Sequence, residues 1–240
     1  MNITLIGYGK MGKAIEQIAL HKGHEVTYKI DQNNHDLLHT LNGSKTDAAI
    51  EFTQPEQAFH NLKYCLENGI PVVCGTTGWL EKRKEIEVIC NHNKGAFFYA
   101  SNYSVGVNIF FHLNKWLAQV MNGYPEYIIS TEEIHHTEKK DAPSGTSITL
   151  AEGILENFPS KTNWVNEAIG KANEVPIVSK REANVPGTHT ILYESSIDAI
   201  EIKHTAHSRE GFAQGAVLAA EWIKGKTGVF GMDDLLKIKS

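Results

Sequence analysis

Two imidazoles and an ammonium stand in the run Glu133-Ile134-His135-His136-Thr137-Glu138-Lys139-Lys140-Asp141-Ala142-Pro143-Ser144-Gly145-Thr146, directly ahead of signals for a helix start. Pro143 at a first helical position, Ser144 as a local cap and the amides of Gly145 and Thr146 predict backbone N–H groups turned toward a carboxylate or phosphate. The positive end of the helix dipole favours the same ligand. Lys139 supplies a full positive charge. The chemistry implied is binding and protonation of an anion. A solvated polar strand end in the charged stretch Glu132 to Asp141 is the plainer reading, and the helix start that follows weighs against it. His135 and His136, adjacent on a strand, point to opposite faces and do not easily grip one ion together, so no metal site is expected.

A second constellation opens the chain, where Asn2-Ile3-Thr4-Leu5-Ile6 runs into Gly7-Tyr8-Gly9-Lys10-Met11-Gly12. Three glycines mark any tight turn, but these follow a strand pattern and open a helix. A second strand then ends in Asp31, at the distance of about 20 residues where an acid binds a ribose hydroxyl. The bland reading of Asp31 is a turn or cap residue. Gly75-Thr76-Thr77-Gly78 and Ala100-Ser101-Asn102-Tyr103 sit just past strand ends, where open α/β sheets bind ligands. On position alone, ordinary strand-to-helix loops account for them equally well. The two constellations together point to a reductase for an anionic substrate.

The elements that must hold these residues follow from periodicity. Met11, Ala14, Ile15, Ile18 and Ala19 recur at helical spacing, and Gly23 precedes a strand over Glu25 to Ile30. Asp47 to Phe52 reads as a strand, and Thr53 with Glu56 as a capping box opening a helix through Ala58, Leu62, Cys65 and Leu66. Ile70 to Cys74 is a strand, Leu80 to His92 a helix, and Ala96 to Tyr99 a strand. Strands alternating with helices predict a Rossmann-type, doubly wound parallel sheet. Beyond Ser104, Ile109, Phe110, Leu113, Trp116, Leu117, Val120 and Met121 mark one long amphipathic helix. Strand-like stretches follow at about Glu126 to Glu133, His189 to Glu194 and Asp198 to His204, which predicts a second, α+β domain with a mixed or antiparallel sheet. Phe212, Ala216, Ala219, Ala220 and Ile223 describe a last helix that returns to the first domain. The expected division is residues 1–104, completed by 210–240, for the dinucleotide and 105–209 for substrate and oligomerisation.

Composition excludes several classes. In 240 residues, 41% are hydrophobic and 21% charged, which suits a globular chain. A net charge of -5 argues against a general nucleic-acid binder, whose affinity comes from neutralising phosphates. Cys65, Cys74 and Cys90, without C-x-x-C spacing, indicate neither a disulfide framework nor a zinc knuckle. No apolar run approaches the ~20 residues of a membrane span. A cytoplasmic protein is expected.

The run EIHHTEKKDAPSGT closely resembles the signature of the 4-hydroxy-tetrahydrodipicolinate (dihydrodipicolinate) reductase family of bacterial diaminopimelate and lysine biosynthesis. GYGKMG looks like that family's glycine turn, CGTTG its second nucleotide loop and ASNYSVGVN its domain junction. VPGTHT leads into a strand, and HTAHSREGFAQGAV matches the last strand-to-helix passage. These stand in family order over nearly the whole chain. The resemblance implies His135 as proton donor or acceptor and Lys139 as proton donor. It implies His136, Ser144, Gly145, Thr146 and Arg209 as contacts to a small dicarboxylate substrate. NADH or NADPH would be lined by Gly7 to Gly12, Asp31, Gly75 to Thr77 and Ala100 to Tyr103. A homotetramer paired through the second domain is implied as well. Two features depart from the pattern: Gln32 follows Asp31 where many members carry an arginine suited to the NADP phosphate, and Ser160 to Val175 has no counterpart among these motifs. NADH is therefore expected to be favoured. The rivals are another two-domain reductase, resembling an aspartate dehydrogenase, and a nucleotide-sensing regulator. The HHTEKKDAPSGT context argues against the first, and the lack of a helix-turn-helix pattern or basic patch against the second.

Overall fold

Short apolar runs at Asn2–Ile6 (β1), Ala48–Glu51 (β3), Val72–Cys74 (β4) and Ala96–Tyr99 (β5) are buried along nearly their whole length. A strand covered on both faces has no need of polar alternation, which is the mark of a parallel sheet packed between helices. In the computed structural model, which describes residues 1–208 and 210–238, these strands join Glu25–Ile30 (β2) and Gly228–Phe230 (β11) in one six-stranded parallel sheet of order β11-β5-β4-β3-β1-β2. The alternation along each strand feeds two separate cores. Ala48, Ile50, Val73 and Phe98 pack with Ile15 and Ala19 of α1 (Lys10–His21) and with Ala216 and Ala220 of α6 (Glu210–Ile223). Ala49, Val72, Cys74 and Phe97 pack with Ala58 and Leu62 of α2 (Pro55–Glu67) and with Ile86 and Cys90 of α3 (Arg83–His92). The sheet is doubly wound, as the alternation of elements predicts.

Local details differ from the sequence reading. The helix after β3 starts at Pro55 with Gln54 as its cap, not at a Thr53 capping box. The Thr53 hydroxyl is spent on the carboxylate of Glu51, and its amide donates to Thr76 Oγ1 at 2.8 Å. The stretch from Leu80 divides into one 3-10 turn, Leu80–Lys82, before α3. β11 and the short helix α7 (Met232–Leu236) have no counterpart in the sequence reading, being too brief to show a period.

The chain divides into two units, Met1–Val105 with Glu210–Ser240 and Gly106–Arg209. The second holds most of α4 (Val105–Met121), then β6 (Ile128–His135), α5 (Gly145–Leu155), β7 (Asn163–Val165), β8 (Glu174–Arg181), β9 (Gly187–Glu194) and β10 (Ala199–Ala206). Its sheet has the order β10-β9-β6-β8-β7, with β6 antiparallel to β9 and parallel to β8, so it is mixed. α4 and α5 pack on the face carrying Ile129, Ile177, Ile191 and Tyr193. β7 and β8 were not read from the sequence. All of β7 and the first two residues of β8 fall in the segment 160–175, and Pro176 lacks the N–H a strand interior wants; it is tolerated at the last β7 pairing, opposite Val165. Along α4 the apolar stripe is wider than the core requires, since Ile109, Leu113, Trp116 and Val120 remain exposed while Phe110, Leu117 and Met121 are buried. Among the described residues no helix is long and apolar enough to cross a membrane.

Candidate active site

In the first unit, the three glycines of the opening turn have different reasons to be glycine. Gly7 leaves β1 at φ +98°, and a Cβ there would lie 1.9 Å from the Phe52 carbonyl oxygen. A Cβ on Gly12, in the first turn of α1, would lie 2.3 Å from the Gly7 carbonyl oxygen. Both are fixed by the fold itself. Gly9 is not: nothing lies within 4 Å of its Cβ position, and it caps α1 with no side-chain hydrogen bond. Space left open by the protein at the positive end of a helix suits the close approach of a phosphate. A cavity of about 760 Å³ runs past Gly7, Tyr8, Gly9, Asp31, Gln32 and Thr53. A second, of about 300 Å³, is lined by Lys10, Met11, Gly12, Gly75, Thr76 and Thr77. The residues present therefore fit a dinucleotide.

Asp31, just past the end of β2, accepts the Asn33 amide on Oδ1 at 2.7 Å, and among the described residues no donor meets its second oxygen. Ser101 is exposed and Asn102 half-buried, whereas Ala100 and Tyr103 are buried. Tyr103 donates its hydroxyl to the Cys74 carbonyl at 2.7 Å and so braces the end of β4. One residue here escaped the sequence reading. Glu51, wholly buried at the end of β3, takes hydrogen bonds from Thr53, Asn61 and the Cys74 thiol. It ties the Thr53 loop to the Gly75–Thr77 loop, and burial pushes its carboxyl up against the pull of those bonds.

In the second unit, Ser144 caps α5 and its Oγ accepts the Ser147 amide at 3.2 Å. Pro143 thus precedes the cap instead of occupying the first helical position. Among the described residues no acceptor is recorded for the Gly145 and Thr146 amides, the first two of the helix. The Ser144 amide is occupied: it donates to both oxygens of Glu133 at 3.1 and 3.0 Å, and the Ser147 hydroxyl adds a bond of 2.8 Å. Burial works to raise the Glu133 carboxyl, but hydrogen bonds from His135, Ser144, Ser147 and Ser179 outweigh it and hold it well below the usual carboxylate range.

In this unit the sequence reading gave no role to Glu133, Arg181 and His189. The period of two on β6 sets Glu133 and His135 on one buried face. Strand register then brings His189 opposite Glu133 and Arg181 beside His135. The spacing Glu133-x-His135 was visible in the sequence; its partners were not, because register is a tertiary property. Arg181 donates to the carbonyls of Lys139 and Asp141 at 3.3 and 2.6 Å and reaches Glu133 at 3.5 Å, so it clamps the loop that carries Lys139. Lys139 itself pairs with both oxygens of Asp141, at 2.9 and 2.7 Å, and this contact holds the Asp141 carboxyl below its ordinary range. His136 lines a cavity of about 310 Å³ with Thr137, Asn184 and Pro186. Arg209 lies outside the described residues.

Two family models match the chain. The model described as "Dihydrodipicolinate reductase, N-terminus" matches residues 1–103, and "Dihydrodipicolinate reductase, C-terminus" matches residues 106–236. A protein of Christiangramia forsetii named 4-hydroxy-tetrahydrodipicolinate reductase is 52% identical over 239 residues, covering 98% of each chain.

The chain belongs to the dihydrodipicolinate reductase family.

A more distant member, from Methanosarcina acetivorans and of the same name, is 39% identical over 84% of this chain and 77% of its own. Among solved structures, a dipicolinate-bound dihydrodipicolinate reductase from Paenisporosarcina has a TM-score of 0.78 at 22% identity, over 98% of both chains, a likeness of fold. Dihydrodipicolinate reductases are pyridine-nucleotide-dependent oxidoreductases, and this chain is one of them.

Proposed function

We propose that this chain reduces 4-hydroxy-tetrahydrodipicolinate to tetrahydrodipicolinate with loss of water, using NADH or NADPH, in diaminopimelate and lysine biosynthesis. The observation that carries the reading is the grouping, on one short stretch, of two helix-start amides with an ammonium and an imidazole. The substrate is a cyclic dicarboxylate that loses water, accepts hydride at ring carbon four and gains a proton. The Gly145 and Thr146 amides and the Lys139 cation hold a carboxylate without having to reorganise, and His135 and Lys139 serve as proton carriers. His136, Ser144 and Arg209 are the further substrate contacts. The nicotinamide, held by Gly7 to Gly12, Asp31 and the Gly75 and Ala100 loops, supplies the hydride; the protein supplies position and charge. A cytoplasmic location accompanies this reading, supported by three cysteines that are all free thiols.

The test is to supply the unstable substrate from a coupled synthase and follow the loss of reduced-cofactor absorbance. Oxidation that depends on the synthase is expected, and its absence with folded protein ends the proposal. The same assay ranks the cofactors, and kcat/KM for NADH is expected to equal or exceed that for NADPH. The Asp31 carboxylate suits two ribose hydroxyls and repels a 2′-phosphate, and Gln32 brings no charge. Lys29, a cation near this site, is committed elsewhere: its Nζ is 3.0 Å from Glu16 Oε1 and lies over the Tyr8 ring, whose hydroxyl also donates to Glu16. A preference for NADPH above tenfold means that Lys10 or a displaced Lys29 reads the phosphate and that Asp31 does not exclude it.

The second unit also serves to assemble a homotetramer in this reading. β10 is a sheet edge with Ile200 partly exposed, and the stripe Ile109, Leu113, Trp116 and Val120 gives α4 a second apolar side. A solution mass near four times the 26.7 kDa of the chain is expected by light scattering at micromolar concentration. A mass near that of one chain refutes the assembly.

A further inference from the structure

We infer that Glu133 and His189 form a buried positioning pair for His135, in which His189 keeps its proton on Nε2 and thereby holds His135 in the tautomer protonated on Nδ1. The inference rests on the reading of His135 as a proton carrier.

Three atoms converge beneath α5. His135 Nε2 lies 3.3 Å from His189 Nε2 and 3.4 Å from Glu133 Oε2, and His189 Nε2 lies 4.0 Å from the same oxygen. All three residues are buried. Where the protons sit is decided by the far side of the His189 ring: its Nδ1 is buried and has no hydrogen-bond partner among the described residues. A buried N–H without an acceptor keeps its full desolvation penalty, and a bare lone pair is the lesser one. The His189 proton therefore belongs on Nε2, where His135 Nε2 and Ser144 Oγ, each at 3.3 Å, are the acceptors. Burial, with His135 close by, pushes the ionisation of His189 down to about 4, so the ring stays neutral and can act only as this single donor.

The consequence falls on His135. With Nε2 turned inward and accepting from His189, its own proton is carried on Nδ1, the nitrogen directed away from the cluster. When the ring takes up its second proton, on Nε2, that N–H meets Glu133 Oε2 at 3.4 Å, while His189 Nε2–H turns to Ser144 Oγ at 3.3 Å. Both protonation states of a proton carrier are thus matched by a fixed neighbour, with no movement of the ring. Gly187 keeps the ring seated, since a Cβ there would come 3.0 Å from His135 Cε1.

The same three atoms invite a rival, for Glu133, His135 and His189 have the composition of a two-histidine, one-carboxylate metal site. An ion bound through both Nε2 atoms would force the His189 proton onto the unpartnered Nδ1. Metal-ligating histidines normally give that N–H an acceptor. The geometry favours the hydrogen-bonded arrangement.

Nitrogen-15 NMR of the ring nitrogens tests the tautomers without reference to turnover. A protonated Nε2 on His189 and a protonated Nδ1 on neutral His135 are expected, and the opposite tautomer on His189 overturns the inference. One equivalent of Zn2+ is expected to leave those signals in place; stoichiometric binding that shifts both Nε2 signals establishes the metal site instead. In kinetics, His189→Leu, which removes the donor, should lower kcat roughly 10–100-fold with substrate KM and NADH affinity changed by less than about threefold. His189→Gln sets an amide N–H near the position of Nε2–H and should restore kcat to within about threefold of wild type. Equal losses in the two variants mean that His189 only fills space, and unimpaired His189→Leu means that it does not act on His135. Absence of turnover by the wild-type protein would refute the assigned reaction and leave the tautomer measurement standing.

Discussion

Lys139→Ala is expected to lower kcat roughly 10²–10⁴-fold and to raise the substrate KM, while calorimetric NADH affinity stays near that of wild type. In the proposed reaction the ammonium has two tasks, charge partner to a carboxylate and proton source, so its loss would be felt both in binding and in turnover. The structure adds a reason why its geometry matters. Lys139 stands on a loop whose carbonyls at 139 and 141 are held by Arg181, and its charge is shared with Asp141. Asp141 has a largely exposed side chain, so a substrate carboxylate bound as proposed would displace a screened pair and not a buried one. His135→Ala is expected to act chiefly on kcat, because the Gly145 and Thr146 amides and Lys139 remain to bind the substrate. His136→Ala should be milder. Near wild-type turnover by Lys139→Ala, or loss of NADH binding by the folded variant, would remove the EIHHTEKKDAPSGT run from the reaction.

The loop residues of both sites were legible in the sequence because each depends on local chemistry. Glycines after a strand, a serine before a helix and an acid at a strand end declare themselves through spacing. The residues that hold the loops did not. Glu51, Glu133, Arg181 and His189 act across strands, and which strand lies beside which is set by the whole sheet. β8 shows the cost of this most plainly. With Pro176 inside it and only the three-residue β7 beyond it, it lacks a strand's local signature, yet it sits next to β6 and delivers Arg181 to the site. The Thr53 cap failed for the opposite reason: a good local signal lost to a buried carboxylate that needed the hydroxyl more.

Gly9→Val should fold as the wild type does and lose NADH affinity by about 10²-fold or more, equivalent to ~2.7 kcal/mol of binding. Gly7→Ala should do the reverse first, losing stability before binding can be asked about. At Gly7 the backbone has φ +98° and the new methyl group would stand 1.9 Å from a carbonyl oxygen; both faults are in the folded chain itself. At Gly9 the backbone is extended, with φ -85° and ψ -154°, a conformation open to valine, and no protein atom lies within 4 Å of the added Cβ. Beyond the modest preference of a helix N-cap for glycine over valine, nothing among the described residues requires glycine at residue 9. A phosphate seated on the amides of α1 does, because a branched side chain would occupy the ground it needs. Fluorescence titration with NADH and a thermal melt separate the two glycines. A Gly9→Val chain that binds NADH within about threefold of wild type, or that melts as early as Gly7→Ala, would mean that the open space beside Gly9 is not where the cofactor's phosphates lie.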